Sequence, residues 1–542
     1  MCGFRPAAMN RITTDAVALI SLVILTGFFA WRFVDFSIPP FEDAAILMRY
    51  AEHLAAGKGI VWNVGEPPVD GATDFLFLLA VAAVHGIGCS LECAVRLLTL
   101  LAHFGTTVLI YIGMRRIQGA GMIPALLSAI YFTVGPGLFF AAAYFGTPFF
   151  AFSICLAWLL AQRLLVSTGT TRDFILFSIV CLMTGLIRPE GVFISIYIMI
   201  ALGLLMPWAE YRRLASTFCS IFLALGGAYF LWRWNYFGYP LPNPFYKKGG
   251  GFLHYPVLEI SFRNSYVFLY PFIPAFLLTF RKKELFLKGL AFLIPIVGSI
   301  VMWVMLSDEM NFGARFQYPV LVLGVLSWFP LVSTLREDLH LPTLSELTGL
   351  ERTALIIVAL LFAGMILRRQ VIHSTTVTYA KDGRYDIAIM LHRFADRKYT
   401  MATTEAGLLP LYSKWRAIDT WGLNDQWIAH HGLVTKEYLD RNKPDLLVWH
   451  GYFSPFHPVD PGLLRSPWGH QTLVLYEYAK QYQFTPAGVF GMSPQDTHCY
   501  YVRPGIPDHD ELVRLIRSLD YAWYENGGKS TNFALTLPGH GD

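Results

Sequence analysis

Apolar runs of membrane-crossing length fill the chain up to residue 368, and they leave few folds open. Crossing about 30 Å of hydrocarbon takes about 20 predominantly apolar residues in a helix. Runs of that length or slightly shorter lie near 16–34, 92–114, 119–136, 147–165, 173–187, 191–208, 215–232, 264–280, 288–306, 317–334 and 353–368. They predict a polytopic α-helical membrane protein with about 11 transmembrane helices. Of the 542 residues, 55% are hydrophobic and only 15% are Asp, Glu, Lys or Arg, where soluble proteins carry about 25% charged residues. That composition excludes a soluble enzyme of this size and a disordered chain. A net charge of +4 without a long basic run gives nucleic-acid binding no support. The seven cysteines follow no CxxC or Cys/His spacing and read as buried thiols, not zinc ligands.

Basic connectors set the expected orientation. The N-terminal Arg5 and Arg11, Arg115-Arg116, Arg163 with Arg172, Arg212-Arg213, and Arg281-Lys282-Lys283 fall on one side of the eleven runs, which the positive-inside rule makes cytoplasmic. The first run exits through Trp31-Arg32-Phe33 without a small-residue cleavage site, so it reads as an uncleaved span. A further apolar stretch over 74–88 would invert the first loop if it crossed. It is therefore expected to be a re-entrant or outer-surface helix, covered by protein. The tail, 369–542, then lies outside. Strand-like runs near 399–404, 445–449, 472–477 and 498–502, with helix-like stretches near 384–396 and 509–519, predict a C-terminal soluble α/β domain.

Against this orientation, the outward connectors hold cations that break the trend: Arg49 and Lys58, Arg188, Arg233, Lys247 and Lys248, and Arg315. An anionic ligand is one reason for such an arrangement. Three outer loops, 37–91, 233–263 and 307–316, hold most of them. In the first, apolar positions 46, 47, 50, 51 and 54 follow helical spacing behind Glu42-Asp43. Acidic residues at a helix start are also stabilising for their own sake. Arg188-Pro189-Glu190-Gly191 is either a paired charge turn or a proline-led helix start. The second loop runs from Arg233 to Lys248 and is dense in Pro, Asn and Tyr beyond what an interfacial aromatic belt needs. In the third, Arg315 lies near lipid-phosphate depth, where snorkelling is the plain alternative.

Taken together, these loops resemble the GT-C fold glycosyltransferases, in particular the group containing the mycobacterial terminal arabinofuranosyltransferase. The resemblance rests on Glu42-Asp43-Ala44-Ala45-Ile46 through Arg49-Tyr50, Gly57 through Glu66, Asp70-Gly71-Ala72-Thr73 and the Arg-Pro-Glu-Gly turn at 188–191. It continues with Phe237-Gly238 and Leu241 through Lys248, where Pro244 replaces a threonine, and with Asp308, Met310, Arg315, Phe316 and Pro319. In the tail, Thr403 through Gly407, Ile418 through Asp425 and Lys443-Pro444-Asp445 join it, so that the match covers about 30–455. One departure stands out: Tyr144-Phe145-Gly146-Thr147-Pro148 lacks the glutamate that the family often carries after the third span.

The resemblance implies a multi-pass enzyme of the bacterial cytoplasmic membrane that takes a sugar, arabinofuranose in the named group, from a polyprenyl-phosphate donor in the bilayer. The acceptor it implies is an extracytoplasmic glycan, or a surface protein such as a pilin or flagellin. Arg188, Arg315, Lys247 and Lys248 are the candidates for the donor phosphate, arginine as a bidentate fork and lysine as a mobile point charge. Asp43 is expected to be the general base ahead of Glu42, because the family's second acidic position aligns with it. Candidate substrate contacts are Arg49, Asn63, Glu190, Asn243, Tyr246, Asp308, Asp419 and Asp425. Gly422 and Asp425 serve equally well as turn and cap, and His430 and His431 read as loop residues. A divalent cation held by the oxygens of Glu42, Asp43 and Asp308 is admitted, but no ligand cluster is local in sequence, and no metal is assigned. Two other classes fit the same scaffold: a transporter of lipid-linked substrate and a non-catalytic envelope or motility factor. Against transport, the polar motifs gather on one face, where a transporter places its site near the midplane.

Overall fold

The computed structural model describes residues 6–249, 251–280, 283–339, 348–375, 383–450, 466–493, 496–519, 521–522 and 529–530. Arg5, Cys2 and the connector residues 281–282 lie outside them. Among the described residues, eight helices are long and apolar enough to cross a membrane: Thr13–Phe33, Leu91–Arg116, Met122–Ala142, Thr147–Val166, Trp208–Phe237, Leu285–Leu306, Phe312–Thr334 and Gly349–Thr375. The chain is a multi-pass membrane protein. The other three runs read as spans fold as shorter helices. Thr171–Ile187 has 17 residues and Glu190–Leu205 has 16, with the Arg188-Pro189 turn dividing them. Tyr255–Leu269 has 15 and resumes as Ile273–Thr279. Pro271 and Pro274 fall at that break, and proline has no N–H to continue a helix.

Lipid-facing character is visible in what stays uncovered. Leu223 is 79% exposed on Trp208–Phe237 and Leu361 is 70% exposed on Gly349–Thr375. Leucines in such number on open helix faces are stable only when the solvent is hydrocarbon. The same faces correct the expectation of uniformly buried thiols. Cys155, Cys181 and Cys499 are buried, whereas Cys93 and Cys219 are exposed, Cys219 on the outward-facing helix Trp208–Phe237.

The first loop builds the platform under the soluble domain. Helix α1 (Pro6–Phe33) leads to α2 (Glu42–Ala55), whose buried face carries Ala44, Ala45, Met48, Tyr50 and Ala51. The short apolar segment is α3 (Phe75–Gly86), of 12 residues. At 1.5 Å per residue it is about 18 Å long, too short to cross. It packs against α2, Thr171–Ile187 and α4 (Leu91–Arg116). Ser90 caps α4 by accepting from the Cys93 N–H at 3.1 Å, and Arg115 in its last turn pairs with Asp15 of α1 at 2.9 Å.

The soluble domain is a five-stranded mixed sheet in the order β2-β1-β3-β5-β4. Its strands are β1 (Thr400–Thr403), β2 (Arg416–Asp419), β3 (Leu446–His450), β4 (Thr485–Ser493) and β5 (Asp496–Val502). β1 pairs in parallel with β2 and β3, and β5 lies antiparallel between β3 and β4. The stretch 472–477, expected as a strand, lies inside the helix Pro467–Gln481. Ser466 caps that helix, Pro467 opens it, and Gln471, Thr472, Leu475, Tyr478 and Ala479 form its buried face. Helical spacing against the sheet overrides the β-propensity of the run. Strands β2 and β4 were not expected. The boundary expected at 368 falls within the helix Gly349–Thr375, which carries the chain into this domain.

Candidate active site

A cavity of about 320 Å³ lies where α2, α3 and the loops after four other membrane helices meet. Its volume is in the range of small-molecule sites, about 300–1,000 Å³. Its charged lining is Asp43, Asp74, Arg188, Glu190, Lys248, Glu309 and Arg315; Phe77, Tyr144, Phe145, Phe193, Phe245, Trp303 and Phe316 supply aromatic walls. Arg315 donates to the Asp43 carboxylate and, at 3.0 Å, to the Met310 carbonyl. Its guanidinium lies over the rings of Phe145 at 4.3 Å and Phe316 at 5.2 Å. Its Nε is buried without a hydrogen-bond partner among the described residues. Arg188 stands between Glu190 at 3.1 Å and Asp74 at 3.7 Å. Lys248 donates to the Glu309 carbonyl at 3.2 Å and makes no ion pair among the described residues.

The electrostatics follow from this arrangement. Burial alone would raise the Asp43 carboxyl, but Arg315 and Lys248 more than reverse it and hold the group below the usual carboxylate range. Burial lowers Lys248, with Asp43 and Glu309 opposing. Burial raises Asp74 despite Arg188. The backbone is strained in the same place. Tyr144 (φ 65°) and Ser307 (φ 66°) line the cavity, and Met310 (φ 63°) and Ala314 (φ 58°) lie in the loop that presents Arg315. Non-glycine residues at such angles cost about 1–3 kcal/mol each and gather where geometry is set for function.

Of the sequence candidates, the cavity brings together Asp43, Arg188, Glu190, Lys248 and Arg315. The others lie elsewhere. Glu42 turns to the soluble domain and accepts the N–H groups of Gly407 and Leu408. Burial raises its carboxyl to about 7, with Arg384 opposing and Glu405 adding to the rise. Arg49 spends its donors on the carbonyls of Trp62, Pro410 and Trp415 and on Asn63. Asn63 in turn binds the backbone N–H and carbonyl of Ala417. These two residues lace the first loop to β2 and do not line the charged cavity. Lys247 donates to the Gly432 carbonyl and covers Trp421. Asn243 donates its backbone N–H to the Asp70 carbonyl, and the Tyr246 ring packs at a tilt against His430. Asp308 accepts from Asn311 at 2.6 Å, while its neighbours Ser307 and Glu309 face the cavity. Asp419 accepts from the backbone of Trp421, Gly422 and Asn424, and Asp425 caps the helix Gln426–His431. Both are turn and cap residues here.

Asp74, Glu309 and the segment Tyr144–Thr147 were not among the site candidates. For Asp74 the signal was a carboxylate before the short apolar helix; for Tyr144–Thr147 it was the departure from the family pattern itself. Nor are the three acids weighed for a cation brought together, since Glu42, Asp43 and Asp308 each engage different partners. Among the described residues, one group has metal-ligand spacing: Glu405, His450 and His498.

A second cavity of about 340 Å³ opens beside the first. It is walled mainly by apolar side chains, among them Phe75, Leu78, Leu182, Leu186, Val192, Tyr229 and Phe230, with the Asp70–Arg233 ion pair in its wall. Ala72, Thr73, Pro189, Phe193 and Leu241 line both spaces, so an apolar groove adjoins a charged chamber.

Solved structures share this architecture. ArnT from Cupriavidus metallidurans bound to undecaprenyl phosphate is similar with a TM-score of 0.54 at 12% identity, covering 89% of this chain and 97% of ArnT. The Archaeoglobus fulgidus oligosaccharyltransferase, tethered with an acceptor peptide, is similar with a TM-score of 0.51 at 11% identity, over 90% of this chain and 74% of that one. The chain has the GT-C glycosyltransferase fold. The mycobacterial arabinofuranosyltransferase AftD is similar at 14% identity over 92% of this chain and 40% of AftD; its TM-score of 0.47 is too low to bear on the sugar. A family profile described as a domain of unknown function, DUF8728, matches residues 371–503, the core of the soluble domain. No curated protein matches the chain.

Proposed function

We propose that the chain is a GT-C glycosyltransferase that moves a sugar from a polyprenyl-phosphate donor to an acceptor on the outer face of a bacterial cytoplasmic membrane. The observation that carries this reading is the junction of the two cavities, because a polyprenyl-phosphate sugar needs an apolar groove continuous with a cationic chamber. In the reading, the lipid tail occupies the groove and the phosphate enters the chamber beside Arg188, Lys248 and Arg315. As the glycosidic bond breaks, its electron pair goes to the phosphate oxygen, and placed cations stabilise the growing charge. Asp43 takes the proton from the attacking hydroxyl. Its pairing with Arg315 makes it a weak base at rest. A phosphate that draws Arg315 away raises its basicity, so donor binding and base activation are linked.

Arabinofuranose and a glycan acceptor are the expected substrates, carried by the loop motifs. The oligosaccharyltransferase likeness supports a surface-protein acceptor as the second reading. Mass spectrometry of envelope glycans and surface proteins, with and without the chain, tests both. Loss of one saccharide from a glycan supports the first, and loss from a peptide the second. If purified chain transfers no sugar from any polyprenyl-phosphate donor, the enzyme reading falls and a scaffold role replaces it.

A further inference from the structure

We propose that Glu405, His450 and His498 form a binding site for one divalent transition-metal ion of the zinc class, in the soluble domain and apart from the charged chamber. The sheet register builds it. His450 ends β3 and lies directly opposite His498 on β5, which brings the two imidazole centroids to 4.6 Å. Glu405 follows β1, the other neighbour of β3, with its N–H anchored on Thr403 Oγ1 at 2.8 Å. One ligand atom from each residue lies within 4.8 Å of the others.

The spacing is that of co-ligands. Glu405 Oε1 is 3.7 Å from His450 Nδ1 and 3.6 Å from His498 Nε2. An N–H···O bond is shorter, about 2.7–3.2 Å. Two atoms each about 2.1 Å from a tetrahedral ion stand about 3.4 Å apart. His498 supplies an independent observation. It is 3% exposed, and neither ring nitrogen has a hydrogen-bond partner among the described residues. A buried polar ring left so is costly, and a metal bond satisfies its Nε2. Two imidazoles and a carboxylate are a donor set that zinc accepts with a fourth position open, whereas calcium and magnesium take oxygen ligands. The charge balance favours a cation. Arg384 pairs with Glu405 through Oε2, the oxygen turned from the histidines, and with Glu42 at 3.3 Å, so two carboxylates share one guanidinium.

The test uses the full-length, tag-free chain in detergent, stripped with a chelator and titrated with Zn²⁺ alone or Co²⁺ alone. We expect one equivalent of either ion, a Co²⁺ absorption of four-coordinate intensity that Zn²⁺ abolishes, and a melting midpoint that rises with metal. The double variant His450→Asn/His498→Asn should weaken binding at least about 100-fold, beyond what loss of an outer-shell partner costs. If that variant fails to fold, the cobalt spectrum and its displacement in the unaltered chain decide the matter. A chain that binds neither ion more tightly than a folded double variant, or a spectrum of six-coordinate aqueous type, overturns the proposal. Glu405 would then serve only as the partner of Arg384. None of these readouts depends on sugar transfer.

Discussion

Glu42 and Asp43 are neighbours in sequence and opposites in surroundings. Asp43 faces the charged chamber, paired with Arg315 and held below the usual carboxylate range by Arg315 and Lys248 against the pull of burial. Glu42 faces the seam with the soluble domain, bound by two backbone N–H groups, and burial lifts it to about 7. Successive residues on a helix point about 100° apart, so one acidic pair serves two regions. The chamber concentrates charge, strained backbone and open space. The seam concentrates saturated hydrogen bonds, with Arg49, Asn63 and Glu42 locking the first loop to β2 and the helix Leu408–Ser413. Poised groups with room for a ligand mark one side, and satisfied groups mark the other.

That contrast can be broken experimentally. The largest effect is expected of Asp43→Asn, which keeps the shape and removes the proton acceptor. Transfer per folded molecule should fall about 10²–10⁴-fold, measured by initial rates with the folded fraction taken from thermal unfolding of the same sample. If Glu42→Gln lowers the turnover of folded protein as much as Asp43→Asn does, the two faces are not distinct in function. Next comes Arg315→Gln, which should reduce transfer about 10²–10³-fold through weaker stabilisation of the leaving phosphate. An unchanged rate would move that role to Arg188 and Lys248.

On the seam the signs reverse. Arg49→Ala strands buried carbonyls at about 1–3 kcal/mol each; the melting midpoint should drop while transfer per folded molecule persists. Gly407→Ala should act in the same direction, because a Cβ there would overlap the Glu42 carbonyl. A seam variant that melts normally yet loses turnover would refute the division.

The smallest effect concerns pH. The folded pKa of Asp43 is lowered from its ordinary value near 3.8. Its contribution to stability is therefore complete above that value and is lost as pH falls through the lower folded value. In Arg315→Gln the carboxyl loses the cation that holds it down. The acid limb of the melting midpoint should then flatten, because the gap between the folded and unfolded values closes. Superimposable acid limbs would mean that the pair is electrostatically silent.

Much of the fold was legible before any coordinate. Lipid offers the backbone no partners, so each span must be a continuous apolar helix, and such runs are hard to hide. Legibility failed where apolar character and geometry part company. The stretch 472–477 has strand composition but is capped by Ser466 and packed as a helix. The site was legible as loops, less so as residues. Asp308 stands in the loop motif, yet the φ of 66° at Ser307 and the turn that follows direct Asp308 to Asn311 and leave Glu309 in the chamber wall. Nothing local separates these two acids.

By itself, the sequence determined a multi-span membrane protein with a soluble tail, because apolar continuity is a local property that hydrocarbon enforces. Its short loop motifs, read in order, were enough to point to the fold. The tertiary structure decided which cations stay poised in the chamber and which are spent on the seam. Arg49 meets its carbonyl partners 361 and 366 residues away, and Asp43 meets Arg315 at a separation of 272. The distinction between a substrate contact and a structural tie depends on those distant partners, and it exists only once the chain has brought them together.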